Sequence, residues 1–256
     1  MEFIPLNELE AALLAATANP DARPRFYEIL SNSNLLVIDE SPGPATIDGP
    51  QVLEAGRSLS IRSLDISGVP HVPVFSSSER ISAIVRSEVK TIAMNAKDLF
   101  KILGGGHAIL NPGSDCGKAF TPHEMAQIVD GSIFAPRSVE VVTEARELLM
   151  GQPASYPTHI TTPLAAFFKT KKEVVAAYLA HVCDPKSGEA PHSLIGVEMH
   201  AGADVQRVMG EASIVLESVA QKGEMIDLIL VTSGGVSDYM TKETKPFYKK
   251  KRLGFF

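Results

Sequence analysis

The chain lacks tryptophan, and it has little cysteine: Cys116 and Cys183 are its only two thiols. Two thiols can still pair, but so low a count suits a reducing compartment better than a disulfide-stapled secreted fold. The lack of tryptophan by itself excludes nothing. Basic residues are outnumbered, 24 Lys and Arg against 30 Asp and Glu, which leaves a net charge of −6. Nucleic-acid binders draw most of their affinity from neutralised phosphates, so this balance argues against that class. No apolar run approaches the roughly 18 residues that a membrane span needs. The first residues, MEFIPLNELEAALLAA, also lack the basic stretch that opens a signal peptide. The expectation is a cytoplasmic globular protein with no nucleic-acid partner and no membrane span. Its 256 residues suffice for one large core or two smaller ones.

What is present is organised around residues 107–130, HAILNPGSDCGKAFTPHEMAQIVD. His107 to Leu110 reads as a strand. Asn111-Pro112-Gly113 has turn chemistry: Pro fixes φ, and Gly accepts the positive φ of a type II turn. A second break falls at Gly117. Thr121, Pro122 and Glu124 then occupy N-cap, N1 and N3 of a helix, with the Glu124 carboxylate expected to reach back to the cap. Met125, Ile128 and Val129 supply its buried stripe. The expectation is strand, rigid double turn, capped helix.

Upstream, Leu6, Leu9, Leu13 and Leu14 predict an amphipathic helix over 6–18, and Phe26, Ile29 and Leu30 a short helical turn. Residues 35–38, 57–66, 71–75 and 90–94 read as strands. Residues 40–50 read as loop, because they carry three Pro and two Gly. Ile81, Ile84 and Val85 mark a helix entered through serines. Asn95 caps another that buries Leu99, Ile102 and Leu103 and ends at Gly104 to Gly106. Repeated strand–helix units imply a sheet with packed helices over residues 1–136, with a junction at 132–138.

The second half, 137–256, has a different order. Strands are expected at 144–151, 173–183, 193–200 and 225–231. Helices are expected at 158–168, with Pro163 inside, at 205–219, with Gly210 inside, and at 238–241. Residues 173–183 have helical propensity in VVAAYLA, but their length and the turn that follows favour strand. The order β-α-β-β-α-β is that of a ferredoxin-like domain. The fold class is therefore α+β in two domains.

Candidate chemistry is sparse. Gly113 to Lys118 resembles a phosphate loop, but the glycines are too close and Ala119 stands where Ser or Thr would hold magnesium. Lys118 near a helix N-terminus can hold an anion. Cys116 in an exposed loop, with His123 as its base, would be the nucleophile of a cysteine mechanism, which would also need oxyanion donors, and CGKAFT does not supply the arginine-rich cradle of sulfur transfer. His181, Cys183, His192 and His200 would be the metal set if the hairpin brought them together, without a tight zinc motif. No cofactor, metal or catalytic residue is expected. Lys245, Lys249, Lys250, Lys251 and Arg252 form a basic tail with aromatics, read as solvated lysines pinned by Phe247 and Tyr248.

The stretch NPGSDCGKAFTPHE resembles the SseB family, the bacterial enhanced serine sensitivity proteins. LLMGQPASYP at 148–157, VVAAYLA at 174–180, SLIGVEM at 193–199 and PFYKK at 246–250 agree with it. Cys116 departs from the family pattern, which is aromatic there. The resemblance covers both halves and implies an N-terminal and a C-terminal SseB domain, with a link to serine sensitivity and no catalytic residues to carry over. The resulting expectation is a non-enzymatic binding or regulatory protein of amino-acid or sulfur metabolism, acting through a protein partner. The ligand- or partner-binding residues would be Asn111, Ser114, Asp115, Lys118, His123 and Tyr156. The alternatives are an enzyme or anion-binding protein using the 111–124 loop, and a secretion-associated structural protein.

Overall fold

The computed structural model describes residues 3–42, 60–136, 148–186, 188 and 190–251. The strand residues expected at 57–59 and 144–147 lie outside these, as do loop residues 43–50, junction residues 137 and 138, and Arg252. The chain divides into two compact units, Met1–Ala18 with Arg25–Ile133, and Asn19–Pro24 with Phe134–Phe256.

In the first unit, α1 (Glu8–Ala18) and α2 (Arg23–Asn32) precede β1 (Asn34–Ile38). Then come β2 (Leu64–Ile66), β3 (Val69–Val74), α3 (Ser78–Ser82), β4 (Thr91–Asn95) and α4 (Ala96–Ile102). The unit closes with β5 (His107–Leu110), β6 (Lys118–Phe120) and α5 (Pro122–Asp130). One sheet has the order β2-β3-β5-β6, and β1 pairs antiparallel with β4. A bridge between Leu36 and Phe75 links the two sheets. The β2–β3 reversal uses Ser67 and Gly68, at φ 55° and 81°, the left-handed pair that matches strand twist. Leu9, Leu13, Phe26, Leu30, Val74 and Phe120 are among the side chains that form the core.

Four expectations change here, the first being that residues 60–63, read as strand with 64–66, hold only an isolated bridge at Ile61. The 26–30 turn is a full ten-residue helix. On α4, Phe100 is buried whereas Ile102 is 55% exposed. The 118–120 stretch is a strand, because β6 folds back antiparallel on β5, pairing Ala119 with Ile109.

The second unit contains β7 (Leu149–Gly151), α6 (Thr158–Lys169), β8 (Val174–Cys183), β9 (His192–Met199) and α7 (Val205–Val219). It ends with β10 (Ile226–Leu230), α8 (Gly235–Glu243) and β11 (Tyr248–Lys249). The expected element order is present, but the ferredoxin-like arrangement is not. The sheet runs β10-β9-β8-β11, with β7 also on β8. A split βαβ needs a third strand between its parallel pair; here β9 and β10 are direct parallel neighbours. Burial explains the order. β8 and β9 are apolar on both faces and take the centre, whereas every residue of β10 is half-buried, as suits an edge.

One face of this sheet packs Ala177, Leu179, Ile195 and Val197 against α6 and α7. The other packs Tyr178, Ala180 and Leu194 against Met240 and Tyr239 of α8. The turn at Pro20–Ala22 packs with α6 and α7, which groups residues 19–24 with this unit. Gly210 sits in the middle of α7 because the Phe134 carbonyl lies where its Cβ would be. Gly196 likewise leaves room on β9 for Met240 Sδ.

Candidate functional site

The hairpin between β5 and β6 is built by its own polar groups. Asn111 is 1% exposed and adopts φ 50°, a left-handed conformation that Asn tolerates better than most residues. Its Oδ1 accepts from the Ser76 N–H at 3.0 Å, and its Nδ2 donates to Ser76 Oγ at 2.8 Å. The Ser114 N–H closes the turn onto the Asn111 carbonyl at 3.2 Å, with Gly113 at φ 75°. Ser114 Oγ accepts from the Cys116 N–H at 3.3 Å. Gly117 is required because a Cβ there would stand 2.9 Å from the Leu110 carbonyl oxygen.

Thr121 caps α5 as expected, accepting from the Glu124 N–H at 3.1 Å. The Glu124 carboxylate is engaged elsewhere. It accepts from the Tyr27 hydroxyl at 2.5 Å and pairs with the Lys118 ammonium at 2.9 Å. Lys118 Nζ also lies 5.0 Å from the Phe120 ring and 5.7 Å from that of Tyr27. Its charge is thus directed at α5 and α2 rather than toward an incoming anion. Cys116 is buried at 3% exposure, with Sγ 3.8 Å from Thr17 Oγ1, so the exposed nucleophile that the sequence suggested is a core side chain. Asp115 and His123 are exposed. Tyr156, 51% exposed, belongs to the second unit. The hairpin therefore brings Asn111 and Ser114 together for its own structure, folds Lys118 onto α5, and presents Asp115 and His123.

Behind the turn lies a charge cluster that periodicity did not reveal. Glu10 is fully buried on α1. Arg80 grips it with two nitrogens, Nε to Oε1 at 3.0 Å and Nη2 to Oε2 at 2.6 Å. Ser76 Oγ donates to Glu10 Oε1 at 2.5 Å, and the Leu6 N–H donates to Oε2 at 2.8 Å. Burial alone would raise the Glu10 pKa, but the Arg80, Ser76 and Leu6 donors hold it below its ordinary value. Ser76 thus joins Glu10 to Asn111. The signal in the sequence was a carboxylate on the apolar stripe of Leu6, Leu9 and Leu13.

The histidine set of the second unit is split by strand register. His181 and Cys183 share one face of β8, whereas His192 stands opposite Val182 and so lies on the other. His192 Nε2 meets Asp227 Oδ2 at 2.9 Å. Among the described residues no group of three or more His, Cys, Asp or Glu is placed to hold a metal ion. Also among them, no helix is long and apolar enough to cross a membrane.

The geometry defines a two-unit α+β protein whose most distinctive motif, the 111–124 hairpin and helix, is held from within by polar side chains. Residues 9–127 match the SseB protein N-terminal domain and residues 142–250 the SseB protein C-terminal domain. The chain belongs to the SseB family. It is 28% identical over 252 residues to Protein SseB of Escherichia coli (strain K12), covering 97% of this chain and 94% of that protein. The same figures hold for Protein SseB of Shigella flexneri. No solved structure matches the chain.

Proposed function

We propose that this protein is a non-enzymatic, cytoplasmic binding or regulatory protein that acts through a protein partner and bears on serine sensitivity in amino-acid or sulfur metabolism. One observation carries the reading: the polar residues of the 111–124 motif are spent on holding its shape. Asn111 and Ser114 close the turn, Lys118 pairs with Glu124, and Cys116 is packed in the core. A catalytic loop needs reactive groups aimed at open space. A pre-organised docking element needs a rigid backbone and a few exposed contacts, and here Asp115 and His123 supply them.

The test is capture from a native lysate by the full chain, comparing wild type with Asp115→Ala/His123→Ala. Both positions are exposed, so the variant keeps the thermal midpoint of the wild type. Loss of a stable partner in the variant, together with altered growth on added serine in cells overproducing it, supports the reading. A partner retained by the variant removes 111–124 as the docking element. No stable partner across several salt concentrations overturns the binding function itself.

A further inference from the structure

The search for a second site leads to the edge of the second-unit sheet. Two lysine-rich segments, about 80 residues apart in sequence, meet there. One is Lys169 to Lys172, from the last residue of α6 toward β8; the other is Lys249 to Lys251, at and beyond β11. Strand pairing brings them side by side. Lys249 stands opposite Ala176, and the Lys250 N–H donates to the Val175 carbonyl at 2.8 Å. The Lys250 ammonium then donates to the Lys172 carbonyl at 2.6 Å. Lys171 is turned inward onto buried Glu211, which Arg207 also grips. Lys169, Lys172, Lys249, Lys250 and Lys251 are all exposed. Glu173, half-buried, is the acid within the same run. The chain as a whole is acidic, so this concentration of positive charge runs against its average.

The described aromatics of the tail, Phe247 and Tyr248, bear on which polyanion fits. Tyr248 is buried, and its ring lies 5.8 Å from that of Phe168; Phe247 packs at 6.4 Å from the same ring. Both are turned into the core, so among the described residues of the tail no aromatic offers a stacking platform for bases or a wedge for a bilayer. What the edge presents is ammonium groups on a short outer strand. We propose that this lysine edge is a docking surface for an acidic segment of a partner protein, separate from the 111–124 element.

The probe is a fluorescent ten-residue peptide of alternating Glu and Ser, titrated with the full chain at about 0.1 M salt and followed by anisotropy. A neutral Gln-for-Glu peptide, a uridine oligonucleotide and phosphatidylglycerol vesicles serve as comparators. The expected result is saturable binding of the acidic peptide alone, weakening several-fold as salt is doubled. Lys249→Glu/Lys251→Glu should reduce its affinity at least tenfold, and Lys169→Glu/Lys172→Glu should do the same from the other segment. Far-ultraviolet circular dichroism of both variants confirms that the fold is kept. Asp115→Ala/His123→Ala should bind the peptide as the wild type does. The proposal is overturned if the charge reversals leave binding unchanged, if the oligonucleotide or the vesicles bind as well as the peptide, or if no peptide binding is detected.

Discussion

At the scale of single residues, the buried carboxylate Glu10 is a position on which the first unit depends. Glu10 has no exposure, and Arg80, Ser76 and the Leu6 amide all aim donors at it. Replacing it by Ala leaves the guanidinium of Arg80 and two further donors facing an apolar gap. Breaking one side of a buried pair costs about 3 kcal/mol, so Glu10→Ala should lower the urea midpoint clearly at neutral pH. Gly210 makes a second case, one in which the usual sign of a substitution is reversed. In most exposed helix interiors Gly→Ala stabilises by about 1 kcal/mol. In α7 the added methyl would run into the Phe134 carbonyl, so Gly210→Ala should lower the thermal midpoint instead. The two thiols separate in the same way. Cys116 is buried and Cys183 half-buried, so a disulfide reagent should label Cys183 in the native protein and Cys116 only after denaturant is added. Equal native labelling rates would contradict this placement.

At the scale of elements, the α5 cap was readable from sequence, and its stability contribution follows from it. Thr121 accepts from the Glu124 N–H, so Thr121→Ala should cost about 1 kcal/mol, checked by chemical denaturation. Such signals are local: a cap, a proline at N1 and an apolar stripe lie within a few residues. The strand character of β8 was legible for a similar reason, because a long apolar run ended at an Asp-Pro turn. What was illegible depends on partners far along the chain. β6 is three residues, Lys118 to Phe120, and exists because β5 offers an edge to it. The Glu124 carboxylate was expected at the cap, but Tyr27, 97 residues away, competes for it. A metal set would have needed His192 beside His181, but an offset of one residue in register puts it on the other face. The ferredoxin-like arrangement failed at the same level. Element order is local information, whereas the choice of central strand is made by burial on both faces. In the hairpin, the turn was legible and the role of its side chains was not, because Ser76, itself bound to Glu10, reaches Asn111 from outside the hairpin.

At the scale of the whole molecule, ionisable groups in both units set the pH range of stability. In the first unit, Glu10 and Asp39 are both buried, which by itself raises a carboxyl pKa; Arg80 and Ser76 around Glu10, and Ser41 and Lys90 around Asp39, bring the balance below the ordinary value. In the second unit Glu224 is lowered in the same sense, against its burial, by the Gln221 N–H and by His159. A lowered folded pKa means that the unfolded chain takes up the proton first. These contributions are therefore complete above the ordinary carboxylate values and are lost as pH falls through the lowered folded ones. The alkaline side has the opposite sign. Burial, and then the hydrogen bond to Glu198, pushes the Tyr178 phenol up from 10.0 to about 12. Burial raises Tyr248 as well. With folded values above unfolded ones, these phenols contribute fully below pH 10 and lose that contribution as pH rises toward 12. Urea midpoints measured across pH should thus form a plateau with an acid limb and an alkaline limb. Glu10→Gln should shallow only the acid limb, and Tyr178→Phe only the alkaline one. Limbs unchanged by these substitutions would mean that other groups govern the titration, and that neither buried hydrogen-bond set controls the pH range over which the protein stays folded.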